Sequence, residues 1–238
     1  MALAVYIKDD PTLRAQITKK KDRAFFGLIV ILGLASITFS IWPYFVWQLK
    51  TLPKLSGKID QIPVPASQVL SQTTLPESAQ VAQDPDGFSY FITNLAPPVG
   101  SSPKEFKVTI PKLKIANAKA RVDSLNFYDH LSHFPGSALP GQVGNSFITG
   151  HSILPQFYDP ANYRAIFSKL SDLEIGDDIF VEIEGRNLHF AVQYAKVVDP
   201  RDISVLAPIS QNGRNLTLMT CVPPGTNIKR LVVVTSLI

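Results

Sequence analysis

Between Ala24 and Leu49 the chain reads AFFGLIVILGLASITFSIWPYFVWQL without one charged residue. A helix over this run is long enough to cross the roughly 30 Å hydrocarbon core of a bilayer. The run is too long for the apolar core of a usual secretion signal and shows no obvious small-residue cleavage site, so an uncleaved transmembrane helix is expected over 24–49. Trp42, Tyr44 and Trp47 gather near its far end, where amphipathic rings favour the headgroup level. Lys50 closes the span.

Charge sets the expected orientation. Residues 1–23 carry Lys8, Arg14, Lys19, Lys20, Lys21 and Arg23 against Asp9, Asp10 and Asp22, which is +3 of the chain's net +4. The body that follows is nearly neutral, which argues against a nucleic-acid-binding surface. The positive-inside bias places this tail in the cytoplasm and the residues after 50 outside, giving a single-pass protein of the cell membrane.

From residue 50 to 102 the sequence is rich in Pro, Ser, Gln and Thr and keeps no sustained helical or strand period, which reads as an extracytoplasmic linker. Asp84-Pro85-Asp86-Gly87-Phe88 and the following Ser89-Tyr90-Phe91-Ile92 are too aromatic for a plain spacer and are expected to pack on something.

Over residues 103–238 the pattern changes to short runs of Val, Ile, Phe and Thr punctuated by Gly, Pro, Asn and Asp. Eight strands are expected: Phe106–Ile110, Lys119–Val122, Ser146–Gly150, Asp178–Glu184, Leu188–Val198, Ser204–Leu206, Leu216–Cys221 and Arg230–Ser236. Glu184-Gly185-Arg186-Asn187 marks a hairpin, and Ile175-Gly176-Asp177-Asp178 the turn entering it. A helical turn is expected after Asp159-Pro160, where Tyr163, Ile166, Phe167 and Leu170 recur at helical spacing. No crossover helices alternate with strands, so the fold class is all-β, a closed or nearly closed antiparallel barrel in which closure removes the strand edges.

Cys221 is the only cysteine, so it is an inert buried group, an intermolecular bridge or a reactive thiol. It ends the strand-like Leu216-Thr217-Leu218-Met219-Thr220 before Val222-Pro223-Pro224-Gly225 stops the strand. Arg230 opens the last strand, nine residues on, and Gly144 through Gly150-His151 is another strand ending on a titratable group. A thiolate to attack an acyl carbon, an imidazole to move protons and a guanidinium to hold anionic oxygen are the requirements of acyl transfer.

These segments resemble the sortase family: Thr217-Leu218-Met219-Thr220-Cys221, the downstream Arg230, and Gly144-Asn145 through Gly150-His151, in the family's order. Ile110-Pro111-Lys112-Leu113 and the passage from Phe167 to Leu173 into Gly176-Asp177 match as well, so the resemblance spans roughly residues 103–238. It implies an eight-stranded sortase-type barrel with short helical turns behind a single anchor. It further implies a cysteine transpeptidase in which Cys221 is the nucleophile, His151 the general acid/base, Arg230 the substrate and oxyanion ligand, and Thr220 a substrate contact. The implied partners are a surface protein or pilin bearing a sorting signal and an amine acceptor, either cell-wall precursor or a protein lysine; no cofactor is implied. An anchored cysteine protease and a noncatalytic peptide-binding scaffold are the alternatives.

Other candidates are given ordinary roles. His130 and His133 lack a recognisable third metal ligand, and His189 sits in an alternating strand. Glu174, Asp177 and Asp178 are expected to form a polar turn rather than a calcium site. Asn215-Leu216-Thr217 fits a glycosylation sequon but enters the nucleophile strand. Asp84 to Phe88 loosely resembles the lid of pilin-polymerising sortases, with a packed linker the preferred expectation. The absence of a second membrane span after Ile238 points away from that group, in which a C-terminal anchor is common.

Overall fold

The computed structural model describes residues 11–51, 53, 80–83, 89–92, 103–210 and 212–238. The chain divides into two units, one ending at Val46 and the other beginning at Trp47. The first is the helix α1, Pro11–Val46, which passes into a π-helical turn over Trp47–Thr51. Phe25–Leu49 is long and apolar enough to cross a membrane. Every side chain described from Phe25 to Phe45 is exposed, as expected of a helix that meets lipid on all sides. The polar Thr38 returns its hydroxyl to the Leu34 carbonyl at 2.8 Å, which satisfies it without water.

In the second unit β1 (Gln80–Gln83) and β2 (Ser89–Ile92) pair antiparallel with Gln83 opposite Ser89. The Asp84 to Phe88 segment lies outside the described residues. The barrel strands are β3 (Glu105–Ile110), β4 (Ile115–Arg121), β5 (Leu131–His133), β6 (Gly144–Thr149), β7 (Asp178–Ile183), β8 (Arg186–Val198), β9 (Arg214–Val222) and β10 (Lys229–Leu237). They close in the order β10-β8-β7-β3-β4-β5-β6-β9.

The barrel is mixed, in contrast to the antiparallel one expected: β4 with β5 and β6 with β9 run parallel. Two further expectations are corrected. Ser204–Leu206 is not a strand but lies in a 3-10 turn, Ile203–Leu206, capped by the Asp202 side chain, which accepts from Ser204 N. Its β-branched residues serve a cover on the barrel's outside instead of a ladder. The missing strand is β5, three residues that are all buried; with neither length nor alternation it leaves no period to read. The segment after Asp159-Pro160 is a chain of turns ending in a 3-10 turn, Leu170–Asp172. The hairpin joining β7 to β8 is as expected. Ile183 pairs with Arg186, and Glu184 and Gly185 both take positive φ, 49° and 73°, the requirement of a type I′ turn.

Side chains alternate between two apolar clusters. Ile148 of β6, Leu216, Leu218 and Val222 of β9, and Leu231 and Val233 of β10 join the main core. Their neighbours Phe147, Met219, Val232 and Val234 face the other way and form a second cluster with Phe134 and Val205, roofed by Ile203, Leu206 and Ile209. This explains why β9 is buried at every position from Asn215 to Val222 and why it reads as an almost continuous apolar run. Asn145 fastens the roof: its Nδ2 donates to the Val205 carbonyl at 3.1 Å, and its Oδ1 accepts from Thr217 Oγ1 at 2.7 Å.

Candidate active site

The barrel brings two of the three sequence-selected residues onto adjacent strands, β9 and β10, and the third just past the end of β6, which neighbours β9. In the β9·β10 ladder Cys221 stands directly opposite Arg230, and such cross-strand pairs project from the same face. In the parallel β6·β9 ladder Phe147 pairs with Thr217 and Thr149 with Met219, so His151 comes two residues past the last rung as Cys221 comes two past Met219. His151 and Cys221 line one open cleft of about 360 Å³ together with Ser152, Ile153, Gly225, Thr226 and Asn227. The site therefore lies on the barrel's outer face, at the end of the second apolar cluster.

Hydrogen bonds pin the two strand ends on either side of these residues. Gly150 N donates to the Met219 carbonyl at 3.1 Å, Thr220 Oγ1 to the Gly150 carbonyl at 2.8 Å, and Ser152 Oγ to the Cys221 carbonyl at 2.7 Å. The hydroxyl of Thr220 is thus turned toward β6. From the far side Phe167 N donates to the His151 carbonyl at 3.0 Å. Gly150 is favoured on steric grounds, because a Cβ there would stand 2.6 Å from Phe167 Cδ2 and 2.9 Å from Leu131 Cδ2, so that these side chains would have to shift.

Arg230 is only 1% exposed, unusual for a residue that normally keeps its charge in water. Its Nη1 donates to the Asn227 and Lys229 carbonyls at 3.0 and 3.1 Å, which fixes one end of the guanidinium against the loop edging the cleft. Cys221 is 4% exposed and shares a small apolar cluster with Phe127. The Phe127 ring meets the His151 imidazole edge-on at 4.8 Å, and Tyr128 lies tilted against it at 4.9 Å.

The remaining polar candidates take structural roles. His133 is fully buried, its Nε2 within 3.0 Å of both the Ala138 carbonyl and Ser137 Oγ, and burial pushes its pKa down. His130 bonds to Ser124 Oγ at 2.9 Å. His189 pairs with Asp178 at 2.7 Å and stacks on Phe180. Lys112 Nζ sits between Glu174 and Asp177, 3.0 and 2.9 Å from their carboxylates, filling with an ammonium the position a cation would need. Asn215 is buried, with Oδ1 accepting from Ile209 N and Nδ2 donating to the Thr235 carbonyl, so it presents no amide for glycosylation.

Sequence reading missed Ser152, Phe127, Tyr128 and Asn227. Ser152 could have been suspected from its place after His151. The others reach the site from loops whose course no local pattern encodes.

The Sortase domain model matches residues 107–238, more than half of the chain. The chain belongs to the sortase family. Solved sortases resemble it over part of its length. A lid mutant of sortase A from Corynebacterium diphtheriae is 30% identical with TM-score 0.49, over 59% of this chain and 73% of that one. Sortase C-1 from Actinomyces oris is 27% identical with TM-score 0.48, over 56% and 72%. A pilus-related sortase C of Group B Streptococcus is 24% identical with TM-score 0.50, over 61% and 75%. No curated protein matches the chain. The protein is thus a transpeptidase of the sortase family, a group whose members join sorting-signal substrates to amine nucleophiles.

Proposed function

We propose that this sortase is an anchored extracytoplasmic enzyme in which Cys221 carries the acyl group, His151 moves the protons and Arg230 holds the reacting carbonyl oxygen. The observation that carries the reading is the placement of the three: Arg230 opposite Cys221 in the β9·β10 ladder, with His151, just past the end of β6, lining the same cleft as Cys221. In the first step the Cys221 thiolate attacks a backbone carbonyl of the sorting signal and the C–N bond breaks. The leaving amine takes a proton from His151, and a thioester remains. In the second step an incoming amine gives up a proton to His151 and attacks the thioester. An amide forms and the Cys221 thiolate is regenerated. The guanidinium of Arg230 stabilises the oxyanion of each tetrahedral intermediate.

The layout that suits this chemistry is a cytoplasmic tail over 1–23, a membrane span over 24–49, a linker over 50–102 and the catalytic barrel over 103–238. The substrate is a surface protein or pilin with a C-terminal sorting signal, and the acceptor is the amine of a cell-wall precursor or of a protein lysine. The test is to incubate the detergent-solubilised full chain with a panel of sorting-signal peptides and a free amine, following products and intact protein by mass spectrometry. An amide product and a thioester adduct, both lost in Cys221→Ala, are expected. Hydrolysis in the presence of saturating amine would replace the transferase reading with a protease, and an amide product that survives Cys221→Ala would remove the nucleophile.

A further inference from the structure

The loop between β4 and β5 brings a second set of side chains to the site. Phe127 touches both Cys221 and His151, so a change there disturbs nucleophile and imidazole together. Tyr128 is different. Its ring lies 4.9 Å from the imidazole at 44°, and the same ring carries the Arg164 guanidinium, with Cζ 5.2 Å from its centroid. Arg164 comes from the chain of turns that also sends Phe167 N to the His151 carbonyl. The backbone and side chain of His151 are therefore gripped from one segment, directly at the carbonyl and through Tyr128 at the ring.

We propose that Tyr128, held by Arg164, is a positioning residue for His151: it orients the imidazole over the cleft and its π face favours the protonated ring. The inference rests on the assignment of His151 as the proton carrier. The warrant is that an aromatic face attracts a cation within about 6 Å of its centroid, a condition met here by Arg164 and by an imidazolium at His151. The guanidinium immobilises the ring in turn, so the orientation is preset before substrate arrives.

Among the described residues, the following titratable and charged groups lie on the elements about His151. Cys221 shares its cleft and Arg230 lies on β10 opposite Cys221. Tyr128 and Arg164 are those just described. Elsewhere on the same loop Asp123 accepts from Gly136 N, and His130 bonds to Ser124 under the opposed influence of Arg121 and Asp129. On the Arg164 side Asp159 accepts from Ala161 N and Lys169 lies over Tyr158.

The experiment compares Tyr128→Leu, Tyr128→Phe, Arg164→Met and the Tyr128→Leu/Arg164→Met double variant in the detergent-solubilised full chain. Two readouts are taken: steady-state transpeptidation, and the NMR titration of His151 in histidine-labelled protein, with its signal assigned by loss in His151→Gln. Tyr128→Leu is expected to lower kcat at least tenfold with KM changed less than twofold, and Tyr128→Phe to restore most of the rate. The His151 titration should move to lower pH by about 0.5 in Tyr128→Leu, since an exposed cation–π contact is worth about 0.5–1 kcal/mol. Arg164→Met should add little to Tyr128→Leu, as both act through one ring. A Tyr128→Leu enzyme with wild-type kcat, or a His151 titration that does not move, overturns the inference. The titration needs no substrate. A wild-type chain that makes no acyl-enzyme would therefore defeat the proposed function, while the titration still decides the role of Tyr128.

Discussion

Arg230 and Cys221 form a direct cross-strand pair, and the arginine is the more deeply buried of the two, 1% exposed against 4%. A buried guanidinium on the strand position opposite a thiol raises the local positive potential, which suits the thiolate and oxyanion of the proposed mechanism. Replacing Arg230 with Ala should lower kcat/KM by about 10²–10³, the range measured for loss of an oxyanion donor. Arg230→Lys should fail to restore it: a lysine ammonium could take over the two bonds that Nη1 alone donates to the Asn227 and Lys229 carbonyls, but it would have no second nitrogen left to offer a reacting oxygen in the planar geometry of a guanidinium. Steady-state kinetics with a thermal melt of each variant checks this, and an active Arg230→Ala enzyme would remove Arg230 from the reaction.

Gly150 separates β6 from His151 at a point where a methyl group has no room. Gly150→Ala would press its Cβ into Phe167 and Leu131, and overpacking of this kind costs about 1–3 kcal/mol. Because Phe167 also bonds the His151 carbonyl, the strain should reach the site. The variant should show both a lower melting temperature and a reduced kcat when assayed well below its melt. Wild-type values for both would mean that the Phe167 and Leu131 side chains yield freely.

The three candidate residues stood out in the sequence because they lie at or just past strand ends, and strand ends announce themselves. Cys221 stands before Pro223-Pro224, His151 after Gly150, and Arg230 at the start of a Val-rich run. The register that makes Cys221 and Arg230 partners needed only a turn between two adjacent strands. The parallel pairing of β6 with β9 was not legible, for it joins segments about 70 residues apart and no turn residue records it. Likewise Asn145 and Thr217 were visible only as parts of a pattern, whereas their shared hydrogen bond and the roof carbonyls at Val205 show what that pattern does. Ser204–Leu206 misled because an apolar pair such as Val205-Leu206 suits a surface cover as well as a ladder. Phe127 and Tyr128 stayed hidden, since aromatics in a polar loop carry no period.

Lys112 occupies the space between Glu174 and Asp177, and both carboxylates hold its pKa above the ordinary lysine value, Asp177 the more strongly. Millimolar calcium should leave the melting temperature and activity unchanged, because a divalent ion would have to displace this ammonium. Lys112→Met should lower stability by less than about 1 kcal/mol, as expected of an exposed ion pair. A calcium-dependent rise in melting temperature of the unaltered protein would show instead that the acidic turn is a metal site.

His133 ties acid stability to the barrel wall. Ser137 Oγ donates to the Phe134 carbonyl at 2.8 Å and accepts from Phe147 N, leaving the His133 Nε2 proton for the Ala138 carbonyl. The ring is wedged beside Phe106 at 5.7 Å, and burial lowers its pKa, which favours the neutral form. A histidine whose folded pKa lies below its unfolded value of about 6.5 binds its proton more readily in the unfolded chain. Its contribution to stability is complete above that pH and is lost as pH falls below it. Denaturant unfolding between pH 8 and pH 5 should show stability dropping with acid. His133→Gln should be less stable at pH 8, where it loses a fitted ring, yet show a shallower acid slope. The residual slope should belong in part to His130, whose pKa is also lowered, first by desolvation and then by Arg121. An acid slope unchanged by His133→Gln would place the sensitivity in other groups.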